Sequence, residues 1–133
     1  MLRGRGRGAK VRRLAAWAPP LLWLSLIIVA TSIPNLDTSA YPNADKIFHL
    51  AAYAVLGVLA VRAVHLTWGM GMAAILWTAL AGLAVAAADE GHQALVPGRT
   101  ACAVDFLINA AGYGLGLFLG MLRFKKGRKV SET

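Results

Sequence analysis

Residues 14–33 read LAAWAPPLLWLSLIIVATSI, a run of twenty without one charged side chain. As an α-helix such a run is about 30 Å long, the thickness of a bilayer's hydrocarbon core. Three further stretches match it. Residues 47–66 are interrupted by His49 near one end and Arg62 near the other, residues 70–88 carry no charge, and residues 104–122 contain Asp105 and Asn109 close to their start. Lipid offers no partner to an unpaired backbone amide or carbonyl, and these stretches are too long for barrel strands, so each is expected as a helix. The sequence therefore predicts an all-α, polytopic membrane protein. Its body is a four-transmembrane-helix bundle over residues 14–122, with helices at about 14–33, 47–66, 70–88 and 104–122, between basic tails at 1–13 and 123–133.

Composition agrees. In 133 residues, hydrophobic side chains make up 58% and charged ones 15%, against roughly 45–50% and about 25% in ordinary soluble domains. A soluble core of this size has no room for so much apolar surface. Disorder is excluded because it needs low hydrophobicity, and a disulfide scaffold is excluded because Cys102 is the only cysteine.

The net charge of +8 is held almost entirely by the tails: Arg3, Arg5, Arg7, Lys10, Arg12 and Arg13 at one end, Arg123, Lys125, Lys126, Arg128 and Lys129 at the other. Only Lys46, Arg62 and Arg99 lie between them. An Arg-Gly repeat can bind RNA in soluble proteins. Two basic tails around an apolar body are better read as cytoplasmic anchors near anionic lipid head groups, with no nucleic-acid partner. Both termini are then cytoplasmic and the number of crossings is even. The connections are 34–46 outside, a tight turn at 67–69 inside and 89–103 outside, in a plasma membrane. A cleaved signal peptide is a weaker reading of the first run, whose apolar length exceeds the usual signal core and which no small-x-small cleavage site follows. Pro19 and Pro20 are expected to mark a bend or a late helix start.

This topology gathers most of the remaining ionisable groups at the outer rim. Asp45, Lys46 and His49 stand at the start of the second helix, Asp89, Glu90, His92 and Gln93 at the end of the third, Arg99 in the following loop, and Asp105 and Asn109 at the start of the fourth. Ionisable groups near a membrane core are costly and face the bundle interior, which marks such a cluster as a functional site. Asp45, His49 and Tyr53 recur every four residues and share a face of the second helix, as Asp105, Asn109 and Tyr113 do on the fourth; Glu90 and Gln93 also share a face. Gly112, Gly116 and Gly120 form a small-xxx-small ridge suited to packing or to a homo-oligomer seam.

Each residue also has a plainer role. Asp45 and Asp105 can cap helices, and His49 can be an interior hydrogen bonder. Arg99 can be a loop charge in a Pro-Gly turn, and Asp89 and His92 read as interface residues. Cys102 lacks a resolving partner and is given no chemistry. His49, Glu90 and Asp105 do not form a compact ligand motif, so no metal or other cofactor is expected. Ser25 and Ser32 lie away from any nucleophile elbow.

At these residues the chain resembles the VanZ-like family of small integral membrane proteins. The likeness runs through DKIFHLAAY at 45–53, DEGHQALVPGR at 89–99 and DFLINAAGYGLG at 105–116, and covers residues 32–120. It implies a polytopic membrane protein of a family named for a member associated with low-level resistance to the glycopeptide teicoplanin. The matching positions are Asp45, Lys46, His49, Tyr53, Glu90, Gln93, Arg99, Asp105 and Asn109.

Two classes of function follow. In the first, the rim recognises, and in one version modifies, the polar head group of an envelope lipid or lipid-linked cell-wall precursor. His49 and Glu90 are then the acid/base candidates, Arg99 and Lys46 neutralise a phosphate or carboxylate, and Asp105 and Asn109 orient them, with Asp45, Tyr53 and Gln93 completing the site. In the second, the polar residues are a non-catalytic interhelical lock. Transport ranks third, because the charges stop at one leaflet.

Overall fold

The computed structural model describes residues 3–34, 44–99 and 101–130, with side chains placed for 8–34, 44–99 and 101–124. They form four helices, α1 (Arg3–Thr31), α2 (Ala44–Thr67), α3 (Met72–Gln93) and α4 (Ala103–Val130), and no strand among the described residues. Each helix contains a segment of 22 or 24 residues with mean hydropathy between 1.4 and 2.0, long and apolar enough to cross a bilayer. The chain is an all-helical, multi-pass membrane protein. Leu22, Phe48, Trp77, Leu107 and Phe118 stand exposed on the outside of the bundle, where a soluble protein places polar groups and a membrane protein meets lipid.

Several helix boundaries differ from the sequence expectation, the end of α4 among them at Val130 rather than 122, and three have a clear local cause. The late start of the first helix is overturned: α1 begins at Arg3 and carries Pro19 and Pro20 in its interior. Lys10, Arg12, Arg13, Leu14, Ala15 and Ala16 are good helix formers. The prolines remove only the donors that would bond the carbonyls of Ala15 and Ala16, which membrane helices tolerate. The second helix opens at Ala44, so Asp45 lies inside its first turn, as Asp105 does in α4. Both carboxylates there face the positive end of a helix dipole. The third helix continues past 88 to Gln93, so Asp89 and Glu90 are helical and buried rather than part of a loop.

The second helix is the hub, touching α1, α3 and α4 and packing most closely on α4. Glycine permits this contact. A methyl group at Gly112 would collide with the carbonyl of Leu50, one at Gly116 with the carbonyl of Ala54, and one at Gly57 with the backbone of Tyr113 and Leu117. Gly120 lies against Val61. The ridge of Gly112, Gly116 and Gly120 is thus covered by α2 of the same chain. This is the packing role that the sequence offered for the ridge, made within one chain. On the other side of α4, Gly82 of α3 leaves room for the ring of Tyr113, whose hydroxyl donates to the Thr78 carbonyl at 3.0 Å.

Side-chain contacts set the two ends of the bundle. At one end the Trp17 indole N–H donates to Thr67 Oγ1 at 3.1 Å, the Trp17 and Trp68 rings lie 5.5 Å apart, and His65 stacks on Phe124 at 5.1 Å. The early part of α1 and the late part of α4 therefore lie at the same end, as four crossings require. The α2–α3 turn closes on Gly69 at φ 82°, with its N–H reaching the carbonyls of Val64 and His65 at 3.2 Å. A left-handed residue after the last helical turn favours glycine. The opposite end carries the polar rim.

Candidate functional site

The rim is built on α3. Thr78, Gly82, Ala86, Asp89, Glu90 and Gln93 are its buried residues, a stripe spaced three or four apart that turns from small to polar as it reaches the rim. Asp89 is only 4% exposed. Its Oδ1 accepts from the Thr31 hydroxyl of α1 and its Oδ2 from the Tyr53 hydroxyl of α2, each at 2.9 Å. One carboxylate thereby ties three helices together. This corrects its reading as an interface residue. An acid inside a membrane protein is tolerated when its oxygens are paired, and here two hydroxyls do that.

A second tie joins α2 to α4. His49 Nδ1 lies 3.0 Å from Oδ1 of Asn109, which is fully buried. An amide oxygen only accepts, so Nδ1 carries the hydrogen and a neutral His49 keeps Nε2 as an acceptor. A third tie involves Glu90, whose Oε1 accepts from the backbone N–H of Cys102 at 2.5 Å and so holds the start of α4 against α3. Cys102 contributes its amide there. Half-buried Ser32 and exposed His92 meet at 2.8 Å, which links the end of α1 to the end of α3.

Arg99 is aimed by a turn. Pro97 and Gly98 occupy the middle of a four-residue turn closed by the Arg99 N–H on the Val96 carbonyl at 3.1 Å, with Gly98 at φ 80°. Proline followed by a positive-φ glycine is the type II pattern. The guanidinium of Arg99 then donates to Gln93 Oε1 at 3.0 Å.

Between α1 and α2, beneath these ties, lies an open cavity of about 750 Å³. Its rim holds Thr31, Asp45, His49, Tyr53, Gln93, Arg99 and Asp105, and its walls run down over Trp23, Leu26, Ile27, Ala52 and Val55. The Trp23 indole N–H donates to the Ala52 carbonyl at 2.9 Å and fixes the floor. From Thr31 to Trp23 the apolar wall descends about 12 Å along α1. The cavity is therefore amphipathic along the membrane normal, charged at the mouth and greasy below.

The model of the VanZ/LLP1 family matches residues 9–124. The chain belongs to the VanZ/LLP1 family. Comparison with curated proteins and with solved structures gave no match. In this VanZ/LLP1 protein the matched region takes in all four helices, beyond the 32–120 likeness carried by the three sequence motifs.

Of the residues singled out in the sequence, the VanZ/LLP1 fold brings Asp45, His49, Tyr53, Gln93, Arg99 and Asp105 around one cavity. Asn109 stands behind His49 as its partner. Glu90 is not among the cavity-lining residues and is engaged with Cys102, so the structure does not join it to His49. Lys46 is half-buried in the first turn of α2. Among the described residues no three His, Cys, Asp or Glu side chains gather as metal ligands. Thr31, Trp23 and the central role of Asp89 escaped sequence reading. The stripe from Thr78 to Gln93 was the signal for Asp89, since its spacing places Asp89 on the face that the glycines and alanines bury.

Four buried polar atoms have no partner among the described residues: His65 Nδ1 at the far end of the bundle, and Glu90 Oε2, Gln93 Nε2 and Asn109 Nδ2, which belong to the rim cluster. The rim supplies the last three. Two donors and an acceptor suit a hydroxyl- or amide-bearing group or ordered water, because a buried polar atom left unpaired costs about 1–3 kcal/mol.

Proposed function

We propose that this VanZ/LLP1 protein binds an amphiphile of the cell envelope, an envelope lipid or lipid-linked cell-wall precursor, through the cavity between α1 and α2. The observation that carries this reading is the cavity's two-part lining. An apolar chain lies against Trp23, Leu26, Ile27 and Val55, and a polar head reaches Arg99, His49, Asp45, Asp105 and Gln93. Arg99 faces a phosphate or carboxylate on the head group, and the two aspartates with Gln93 take its hydroxyl or amine functions. His49, with Nδ1 held by Asn109, is the acid/base candidate if the head group is modified. Glu90 supports the rim from behind through Cys102. By lowering or altering the accessible pool of such a precursor, the protein affects teicoplanin susceptibility.

The alternative, a purely structural lock, is favoured by the Thr31–Asp89–Tyr53 and His49–Asn109 bonds. The two readings divide by residue. Arg99→Ala and Asp45→Ala remove cavity groups outside these bonds, and are expected to lose the co-purified amphiphile and the glycopeptide phenotype while the thermal midpoint in detergent stays unchanged. If both variants are well folded and keep the wild-type lipid complement and susceptibility, where deletion changes susceptibility, the binding reading fails and the lock remains.

In this proposal the protein sits in the plasma membrane with both termini cytoplasmic and the rim outside, as the basic tails favour. Half-buried Cys102, the only cysteine, lies at the rim beside Glu90. A membrane-impermeant thiol reagent is expected to label it in intact cells. Labelling only after lysis places the rim on the cytoplasmic side instead.

A further inference from the structure

At the end of the bundle opposite the polar rim, α1 and α2 border a second groove, of about 540 Å³. Arg12 and Arg13 of α1 and Arg62 of α2 line it together with Ala9, Ala16 and Leu66. All three arginines are exposed, and among the described residues no carboxylate pairs with them. The described acids, Asp45, Asp89, Glu90 and Asp105, belong to the other end. Three like charges on one groove repel one another, and apolar walls on one side weaken the screening that water provides. An anion seated among them reverses the sign of that interaction.

Depth identifies the kind of anion. The Trp17–Trp68 ring pair marks this end of the bundle, and tryptophans of membrane proteins collect at the head-group level. Arg62 lies five residues before Thr67, about 7.5 Å deeper along α2. Its charge meets those of Arg12 and Arg13 in the groove, the position of a side chain snorkelling to the interface. Guanidinium groups are forked donors that match phosphate oxygens in pairs.

We propose that the groove formed by Arg12, Arg13 and Arg62 is a binding site for the phosphate of an anionic lipid in the leaflet adjoining the two termini. The acyl chains run down the outside of α1 and α2 past Ala16. The site is separate from the rim cavity and stands whether or not that cavity binds an amphiphile.

The test uses the full chain reconstituted in mixed phosphatidylglycerol and phosphatidylcholine, extracted with mild detergent and analysed for retained lipid. The wild type is expected to retain phosphatidylglycerol above its bulk fraction. Arg62→Gln is expected to cut that enrichment about fivefold, whereas Arg123→Gln, which removes one charge from the same end outside the groove, keeps it within about twofold. Arg62→Lys retains the charge but not the paired donors and falls between. Arg12→Gln and Arg13→Gln lie beyond the ring pair and report on the same groove should Arg62→Gln fold poorly. Equal losses for Arg62→Gln and Arg123→Gln, or no enrichment in the wild type, overturn the proposal, since the attraction is then diffuse or absent. A final arm titrates inorganic phosphate into protein held in the same phosphatidylglycerol and phosphatidylcholine mixture. Weak binding there supports a lipid ligand, and binding that displaces phosphatidylglycerol at equal concentration assigns the groove to a soluble phosphoanion instead.

Discussion

Replacing Asp89 by alanine is expected to destabilise the bundle by about 2–4 kcal/mol, read as a lower thermal midpoint in detergent and lower abundance in membranes. The carboxylate is buried and accepts from Thr31 and Tyr53, so its removal strands the Tyr53 hydroxyl, leaves Thr31 with only the Ile28 carbonyl at 3.1 Å, and unties α3 from both α1 and α2. Asp89→Asn retains one acceptor oxygen and an amide that a hydroxyl oxygen accepts, and its cost is expected to stay below about 1.5 kcal/mol. A double-mutant cycle between Asp89→Ala and Tyr53→Phe isolates the bond, with an expected coupling of about 0.5–3 kcal/mol. Additive losses would show that the two side chains are merely neighbours, and the three-helix tie would have to be abandoned. The arrangement separates cohesion from binding at the rim: Asp89 holds the helices while Arg99, Asp45 and Asp105 face the cavity.

Gly116→Val is expected to be still more damaging, at about 3 kcal/mol or more. Even a single methyl group at Gly116 meets the backbone carbonyl of Ala54, which has no rotamer to escape into, so α2 and α4 must move apart along their whole contact. Gly114, two residues away, faces open space. Gly114→Ala is therefore expected to be neutral or to stabilise α4 by up to about 1 kcal/mol, because glycine is a poor helix former. The two variants give a ranking that hydrophobicity alone reverses, and both are read by thermal unfolding in detergent. Comparable stability for Gly116→Val and Gly114→Ala would mean that the close α2–α4 contact does not hold the bundle together.

Much of this architecture follows from local chemistry that a single sequence displays. A run such as 14–33 has one way to satisfy its backbone in lipid, so the helices and their number are legible from apolar length. The face shared by Asp45, His49 and Tyr53 is equally legible, because a helix repeats every 3.6 residues whatever surrounds it. The late start expected at the prolines failed for the same reason: locally they favour a helix's first turn, but Pro19 and Pro20 remove two donors from a helix that continues on either side. Local signals likewise ended the third helix at the first charged residue, Asp89, where burial against Thr31 and Tyr53 carries it on to Gln93.

The membrane class, the four helices and the polar character of one end were thus determined by the sequence alone, since each depends on a residue and its near neighbours along the chain. Partner choice was decided only by the tertiary structure. The glycine ridge meets α2 of the same chain, Glu90 turns to Cys102 rather than to His49, Asp89 becomes a hub, and Arg62 shares one groove with the sequence-distant pair Arg12 and Arg13. The physical reason is that hydrogen bonds and close contacts act over a few ångströms between groups as far apart as sixty residues, as His49 and Asn109 are. Helical periodicity gives the direction a side chain leaves its own helix, and only the packing of α1 and α3 on α2 and of α2 on α4 brings it to its partner.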